Sequence, residues 1–351
     1  FGQSLAAARL VNLLLGLATA LVVLGLSSEL GFSRRVGLWA AVLFMLHPGT
    51  FVAESRGGFE TLFTLLLASF VFSLARALRS DSLGAYAIAG LVLGAAALVR
   101  STVFLLPLGV LGWLLIRRPR GELGGSLLKA SVLGACMFVV LSPWIIRNAL
   151  LTGEATLSAS VRGTAAHAGQ YWCLHRGDPR GLSFVDGEAS DERARLAAEW
   201  GYRFRHLPSD FYVYFYTTRD ELAFDRQLMQ TVAARWREAP SRVVSCAAGN
   251  LVAFWFAGRT WLSTALNVVM QLPFLILALG GACMLVSRSR GEALLPLALV
   301  GGYLWLLHSL VAAQARYSVP LVPFLALLSS VALVEGGGFL RARGPLRRAQ
   351  G

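Results

Sequence analysis

Long apolar runs free of charge, repeated from one end of the chain to the other, constrain its fold more than any other feature. LVNLLLGLATALVVLGL (10–26) and LVLGAAALV (91–99) are two of them. About 20 such residues in helix cross a hydrocarbon core of roughly 30 Å. Because the runs recur, a single anchor is excluded and an all-α polytopic membrane protein is expected. Composition agrees: 56% of the 351 residues are hydrophobic and only 15% charged, with a mean hydropathy of +0.61, more apolar than a water-soluble domain can bury.

Hydropathy places about nine transmembrane helices, at 5–26, 36–53, 59–77, 84–99, 102–116, 126–144, 262–286, 292–313 and 317–335. The net charge of +13 falls mainly in five clusters between them: Arg34 and Arg35; Arg76 and Arg79; Arg117, Arg118 and Arg120; Arg288 and Arg290; and Arg341, Arg343, Arg347 and Arg348. The alternate connections hold Arg56, Arg100 and Arg316, so the basic clusters mark the cytoplasmic ends. Nine crossings that start outside end inside, in agreement with the Arg-rich tail. The halves flanking Arg100 are short enough to form one bent helix, but merging them would place the RRPRG loop outside, against the charge rule.

Three regions follow: an N-terminal bundle of six spans over 1–144, an extracytoplasmic segment with amphipathic helices over 145–261, and three spans with a basic cytoplasmic tail over 262–351. The middle region carries 14 Arg and 12 acids. It is nearly neutral and offers no nucleic-acid surface. ASDERARLAAEW and RDELAFDRQLMQTVAARWREAP have helical periodicity, the second opening on acids and closing on Arg and Pro. SRVVSCAAGNLVAFWFAGRTW is read as an amphipathic helix on the outer leaflet, anchored by Trp255 and Trp261. Cys173 and Cys246 lie in the external segment, where an oxidising compartment permits a bridge or leaves two free thiols.

Four arginines sit at the outer ends of spans: Arg9 one turn inside the first, Arg100 between two apolar runs, Arg147 after Ser-Pro-Trp, and Arg316 beside Tyr317. An Arg at bilayer depth costs about 2.5–3.5 kcal/mol on insertion scales. Each alone reads as snorkelling to headgroups; four together read as a phosphate site, because guanidinium forks match phosphate oxygens. Glu54 and Glu60 flank the Gly57-Gly58 turn of AESRGGFETL. They are candidates for contacting a sugar or acceptor hydroxyl, with a helix N-terminal role for Glu60 as the alternative. His47-Pro48 reads as a kink with a hydrogen-bonded imidazole. The spacing of His167, Cys173, His175 and His206 matches no zinc pattern. Phosphate-loop, dinucleotide and nucleophile-elbow motifs are absent from the sequence, which disfavours a soluble nucleotide-sugar enzyme; no cofactor is expected and no metal ligand is assigned.

Several of these strings resemble the GT-C class membrane glycosyltransferases, specifically the bacterial relatives of dolichyl-phosphate-mannose protein mannosyltransferase and of the lipid A aminoarabinose transferase. They are FGQSLAAARLVNLLLGLATALVV, LWAAVLFMLHPGTFVAESRGGFETLFTLL, LGAAALVRSTVFLLPLGVLGWLL, SPWIIRNALLTGEATLSASVRG and ARYSVPLVPFLALLSSVAL, in family order. The resemblance implies transfer of a sugar from a polyprenyl-phosphate carrier to a glycan, lipid or protein acceptor on the outer face of the plasma membrane. It implies Arg9, Arg100, Arg147, Arg316 and Tyr317 at the carrier phosphate and an acidic residue at Glu60. The family's catalytic Asp lies in a loop preceding the first motif matched. No catalytic base is therefore assigned, the chain is expected to be an N-terminally truncated piece, and this piece alone is expected to be inactive. A lipid or solute transporter and a non-catalytic scaffold are the competing readings. The first would need a polar path at mid-membrane, whereas the costly polar residues gather at one boundary.

Overall fold

The computed structural model describes residues 4–56, 58–117, 123–157, 162–178, 180–206 and 213–343. Helices α1 (Leu5–Glu29), α2 (Arg34–Leu46), α3 (Pro48–Arg56), α4 (Glu60–Ser80), α5 (Leu83–Val99), α6 (Leu106–Arg117) and α7 (Leu123–Thr152) come first. Next are α8 (Arg162–Leu174), α9 (Leu182–Glu199), an antiparallel hairpin of β1 (Phe204–His206) and β2 (Val213–Phe215), α10 (Thr218–Glu238) and α11 (Pro240–Phe256). The chain closes with α12 (Trp261–Ser287), α13 (Leu295–Val311) and α14 (Val322–Arg343). Two compact units result, one of 1–141, 270–304 and 318–351, the other of 142–269 and 305–317.

Six helical stretches among the described residues are long and apolar enough to cross a bilayer: Leu5–Glu29, Glu60–Ser80, Leu123–Thr152, Trp261–Ser287, Gly291–Val311 and Ala315–Gly336. The protein is an all-α, multi-pass membrane protein on that basis. The other three segments read as spans are helical but shorter. The stretch 36–53 breaks where His47 caps α2 in extended conformation and Pro48 opens α3, as proline's missing N–H dictates. Its imidazole Nδ1 accepts the Gly49 N–H at 3.1 Å, the kink and the bonded ring read from the dipeptide. Around Arg100, α5 and the stretch Ser101–Arg117 remain separate helices, because Arg100 is extended (φ −149°, ψ 111°).

Within the first unit the helices approach closely at glycine. A Cβ on Gly94 would stand 2.7 Å from Val140 Cβ and 2.8 Å from the Met137 carbonyl, so α5 and α7 touch backbone to backbone, the small-residue packing that membranes favour. Ion pairs then join the basic connections at one end of this unit. Arg79 pairs with Glu29 (3.6 Å), Lys129 with Asp81 (2.6 Å), Arg117 with Glu292 (2.5 Å), and Arg288 with Glu335 (2.6 Å). Arg290 donates to the Gly31 carbonyl at 2.6 Å.

The second unit is built on α8, α9 and α10. The N-cap Thr217 accepts from the Asp220 N–H at 3.1 Å, Asp220 and Glu221 fill the first turn, and Arg235 and Arg237 the last, each favourable to the helix dipole. Leu196, Ala197, Phe224 and Leu228 form its core, with Tyr202, Phe204 and Phe215 laid against it. In the hairpin, Phe204 pairs with Phe215 and His206 with Val213. Along α11, Cys246, Asn250 and Phe254 are buried at spacing four. This stripe meets the chain around 305–309, where the Trp305 indole donates to the Leu251 carbonyl (2.9 Å) and Asn250 to the Ser309 carbonyl (3.0 Å). Cys173 and Cys246 are joined by a disulfide, Cα to Cα 5.6 Å.

Candidate functional site

In the first unit, three of the residues singled out from the sequence gather at the end remote from the ion-paired connections. Arg9 lies one turn past the N-cap Ser4 and is exposed. Asn12, one turn further, is buried and donates to the Gly58 carbonyl at 3.2 Å. That bond fixes the turn whose next helix opens on Glu60, and the Glu60 carboxylate folds back over Gly58, where any side chain would collide with it. Arg100 places its guanidinium 5.8 Å from the Phe63 ring centroid, one turn past Glu60. Two cations, an amide and a carboxylate thus share this end. Glu54 belongs to α3, with its side chain outside the described residues.

The second unit holds the rest. Arg147, in the last turns of α7, is exposed, lies 4.8 Å over the Trp144 ring and donates to Asn148 Oδ1 at 3.3 Å. Arg316 lies 5.1 Å over the Tyr317 ring and donates to its hydroxyl at 3.2 Å. Tyr317 stacks on His308, centroids 4.6 Å apart. It also packs against a cluster of Ala168, Trp172, Val185 and Ala312.

That cluster brings forward a carboxylate the sequence did not distinguish. Asp186 follows Val185 in α9. Its ionisation is pushed above the usual carboxylate range by burial, which outweighs the Trp172 indole and the Arg259, Arg316 and Arg193 guanidinium groups acting the other way. Its Oδ1 is buried and takes no hydrogen bond from the described residues; the Trp172 N–H lies near without reaching bonding geometry. Nothing in GLSFVDGEAS sets Asp186 apart by spacing, so only tertiary packing reveals it.

Beside α9 lies a cavity of about 190 Å³, lined among others by Trp172, Arg176, Leu182, Asn250, Trp261 and Thr264. Arg176 crosses over Gly249 and donates to Asn250 Oδ1 at 2.5 Å. The disulfide anchors the same wall, three residues before Arg176 and four before Asn250.

Deeper in this unit, His167 (0% exposed) and Arg193 (1%) are wholly buried. Arg193 lies 3.4 Å from His167 Nδ1, Glu192 lies 3.6 Å from His167 Nε2, and Arg235 bonds Glu192 at 2.8 Å. A guanidinium only donates, so Nδ1 accepts and Nε2 carries the proton toward Glu192. Burial depresses the His167 ring below its ordinary value, keeping it neutral. This network reads as a paired buried charge set that holds α8, α9 and α10 together. Cys173, bridged, is removed from the His and Cys set considered for a metal.

The residues 1–146 match the family model described as dolichyl-phosphate-mannose-protein mannosyltransferase. Over those residues, fewer than half of the 351, the chain is similar to the GT-C class glycosyltransferases. The match covers Arg9, Glu54, Glu60 and Arg100, and ends one residue before Arg147. No curated protein and no solved structure matches the chain. That family implies a membrane glycosyltransferase of the GT-C type.

Proposed function

We propose that this GT-C relative moves a sugar from a polyprenyl-phosphate carrier to an acceptor on the extracytoplasmic face of the plasma membrane. The observation that carries the reading is the family match over 1–146, in which Arg9, Asn12, Glu60 and Arg100 gather at one end of the unit. In this reading the chain crosses the bilayer nine times, counting the shorter helices, and residues 145–261 lie outside. The acceptor hydroxyl gives its proton to a carboxylate base, to which no residue is assigned here, and its oxygen bonds to the anomeric carbon as the bond from that carbon to the phosphate oxygen breaks, the electron pair leaving with the lipid phosphate. Arg9, Arg100, Arg147 and Arg316, with the Tyr317 hydroxyl, stabilise the departing phosphate. Glu60, and Glu54 with it, contact sugar or acceptor hydroxyls. The reading routes no step through a metal or cofactor, the lipid-linked sugar being substrate.

The test is the full-length protein in nanodiscs with a radiolabelled polyprenyl-phosphate sugar, following release of the lipid phosphate. Arg100→Ala and Arg316→Ala are each expected to lower turnover about 100-fold, the scale of losing one charge-stabilising donor. Unchanged turnover in both would remove the phosphate assignment. Absence of any carrier cleavage by the wild type, with every acceptor class supplied, would remove the transferase reading itself.

A further inference from the structure

Aromatic rings of the second unit form a continuous stack that ends on Tyr317. Phe254, in α11, is wholly buried and lies 5.8 Å from the His308 ring centroid, the planes inclined by 28°. His308, 7% exposed, faces Tyr317 in turn at 4.6 Å and 12°. Arg316 closes the series at the surface, 5.1 Å from the Tyr317 centroid and bonded to its hydroxyl. The order runs from an apolar interior to an exposed cation, with the imidazole in the middle.

The buried end of this stack is fixed by other bonds. Cys246 carries the disulfide two turns before Phe254. The Trp305 indole and the Ser309 carbonyl, on either side of His308, both bond to α11, at 2.9 and 3.0 Å. His308 therefore has a fixed seat on Phe254. The outer end is held differently. Past the end of α13 the chain turns back, and the Ala315 N–H donates to the Ala257 carbonyl and the Tyr317 N–H to the Gln314 carbonyl, each at 2.9 Å. These bonds set the backbone of Tyr317, whereas the direction of its ring follows from what the ring packs against. The near-parallel imidazole is an aromatic partner of the kind that gives such a ring a preferred geometry.

Groups that stabilise a departing charge act best when aimed before the reaction begins. Arg316 and Tyr317 have that role in the transferase reading, and His308 does not touch the phosphate. We propose that His308 is a positioning residue: its flat face sets the Tyr317 ring and, through the bond from Arg316 to the Tyr317 hydroxyl, the guanidinium as well. The inference rests on the transferase reading for its effect on turnover, and stands apart from it for its effect on the ring. His308 precedes the string ARYSVPLVPFLALLSSVAL and belongs to none of those that carry the family resemblance.

The test uses the full-length protein in nanodiscs with two readouts. The first, independent of turnover, is nitration of Tyr317 by tetranitromethane, followed by peptide mass spectrometry. His308→Ala should speed that nitration about two- to tenfold, the factor to which one aromatic pair corresponds. His308→Phe, which keeps a flat ring, should return it to the wild-type rate. Tyr202, in the core around Phe224 of the same unit, is the control, because faster nitration there marks a misfolded variant. Unchanged nitration of Tyr317 in His308→Ala, or no return in a folded His308→Phe, overturns the proposal.

The second readout is carrier cleavage. His308→Ala should lower kcat about two- to tenfold with KM unaltered, as when a contact made in the transition state is misaligned. His308→Phe should restore kcat; a folded Phe variant as slow as the Ala variant would mean that an imidazole nitrogen acts, and would overturn the proposal. In a Tyr317→Ala background, His308→Ala should have no further effect, since a residue acting through its neighbour is silent once that neighbour is gone. A merely structural role would lower turnover by the same factor in both backgrounds. If the wild type cleaves no carrier, the transferase reading falls alone, and nitration still decides whether His308 sets the ring.

Discussion

The two units are both mainly helical, yet they are held together in opposite ways. In the first, apolar groups fill the interior and also cover the outside: Leu21 is 68% exposed and Leu46 74%, which costs nothing against lipid tails. With no difference in apolarity between inside and outside, close backbone contact at Gly90 and Gly94 does the holding. Its ion pairs sit in the connections at one end. In the second, the interior contains the charged Arg193 beside the neutral His167, with the Glu192–Arg235 pair next to them, and a disulfide ties α8 to α11. Buried charges of this kind persist only when paired. One chain thus has two kinds of interior, one closed by backbone contact at glycine and one holding paired charges and a disulfide, and a mutation should be judged by the unit it falls in.

The largest expected effect breaks the second unit while sparing the first. The disulfide spans a sequence separation of 73 residues, and closing a loop of that length restricts the unfolded chain by about 4 kcal/mol on the entropic account. Cys173→Ala with Cys246→Ala should therefore speed hydrogen exchange throughout 162–256 and leave α4 and α5 nearly unchanged. Equal loosening of both units would show that they do not differ in the way described. The converse is Gly94→Val, where the added side chain meets Val140 and the Met137 carbonyl. Overpacking of this kind costs about 1–3 kcal/mol and should appear as loosening of α5 and α7 alone. Gly112, with open space around it, should accept Ala without loss.

A smaller effect sharpens the contrast through pH. The His167 ring pointing at it, and then Arg235, hold the Glu192 carboxyl at about 2 against an ordinary 4.5, despite the opposing effect of burial. A carboxylate lowered on folding contributes stability that is full above its unfolded value and disappears as pH falls toward the folded one. Burial lowers His167 from 6.5, so the unfolded chain takes up that proton first and stability declines below pH 6.5 as well. The second unit should thus loosen in two stages on acidification, from about 6.5 and again below about 4.5. Glu192→Gln should abolish the lower stage. Hydrogen exchange across α8 and α9 as a function of pH checks this, and a single stage in the wild type would contradict it.

What was legible in the sequence follows the same division. Where lipid is the solvent, hydropathy marks the spanning helices directly, though not which of their faces is buried, and the six long helices could be read with their polar end residues. The break at His47-Pro48 was legible from proline chemistry alone, although its consequence, a segment too short to span as one helix, depends on where α2 starts. In the second unit α10 announced itself through Thr217, its acidic first turn and its basic last turn. The interior did not. Arg193 sits in DERAR, a string indistinguishable from a solvated helix face, and its burial depends on His167 lying 26 residues away. Ser183 and Arg259 become neighbours only through the bond between their backbones, so no local pattern could have paired them.

The smallest effect tests whether polarity in the second unit matters by kind or by place. Arg195 stands two residues from Arg193 in the same helix, and pairs with Glu199 at 3.8 Å with both side chains more than half exposed. Exposed pairs at this spacing contribute about 0.3–0.5 kcal/mol and are screened by salt. Arg195→Ala should therefore change the unit's stability by less than about 0.5 kcal/mol, and less again at high salt. Arg193→Ala removes a guanidinium from a wholly buried site and leaves Glu192 and His167 facing an incomplete set of charges, a change that costs about 3–5 kcal/mol. If thermal melts of the two variants fell together, the buried network would not be what joins α8, α9 and α10, and the unit would owe its cohesion to the disulfide and the aromatic cluster around Phe224.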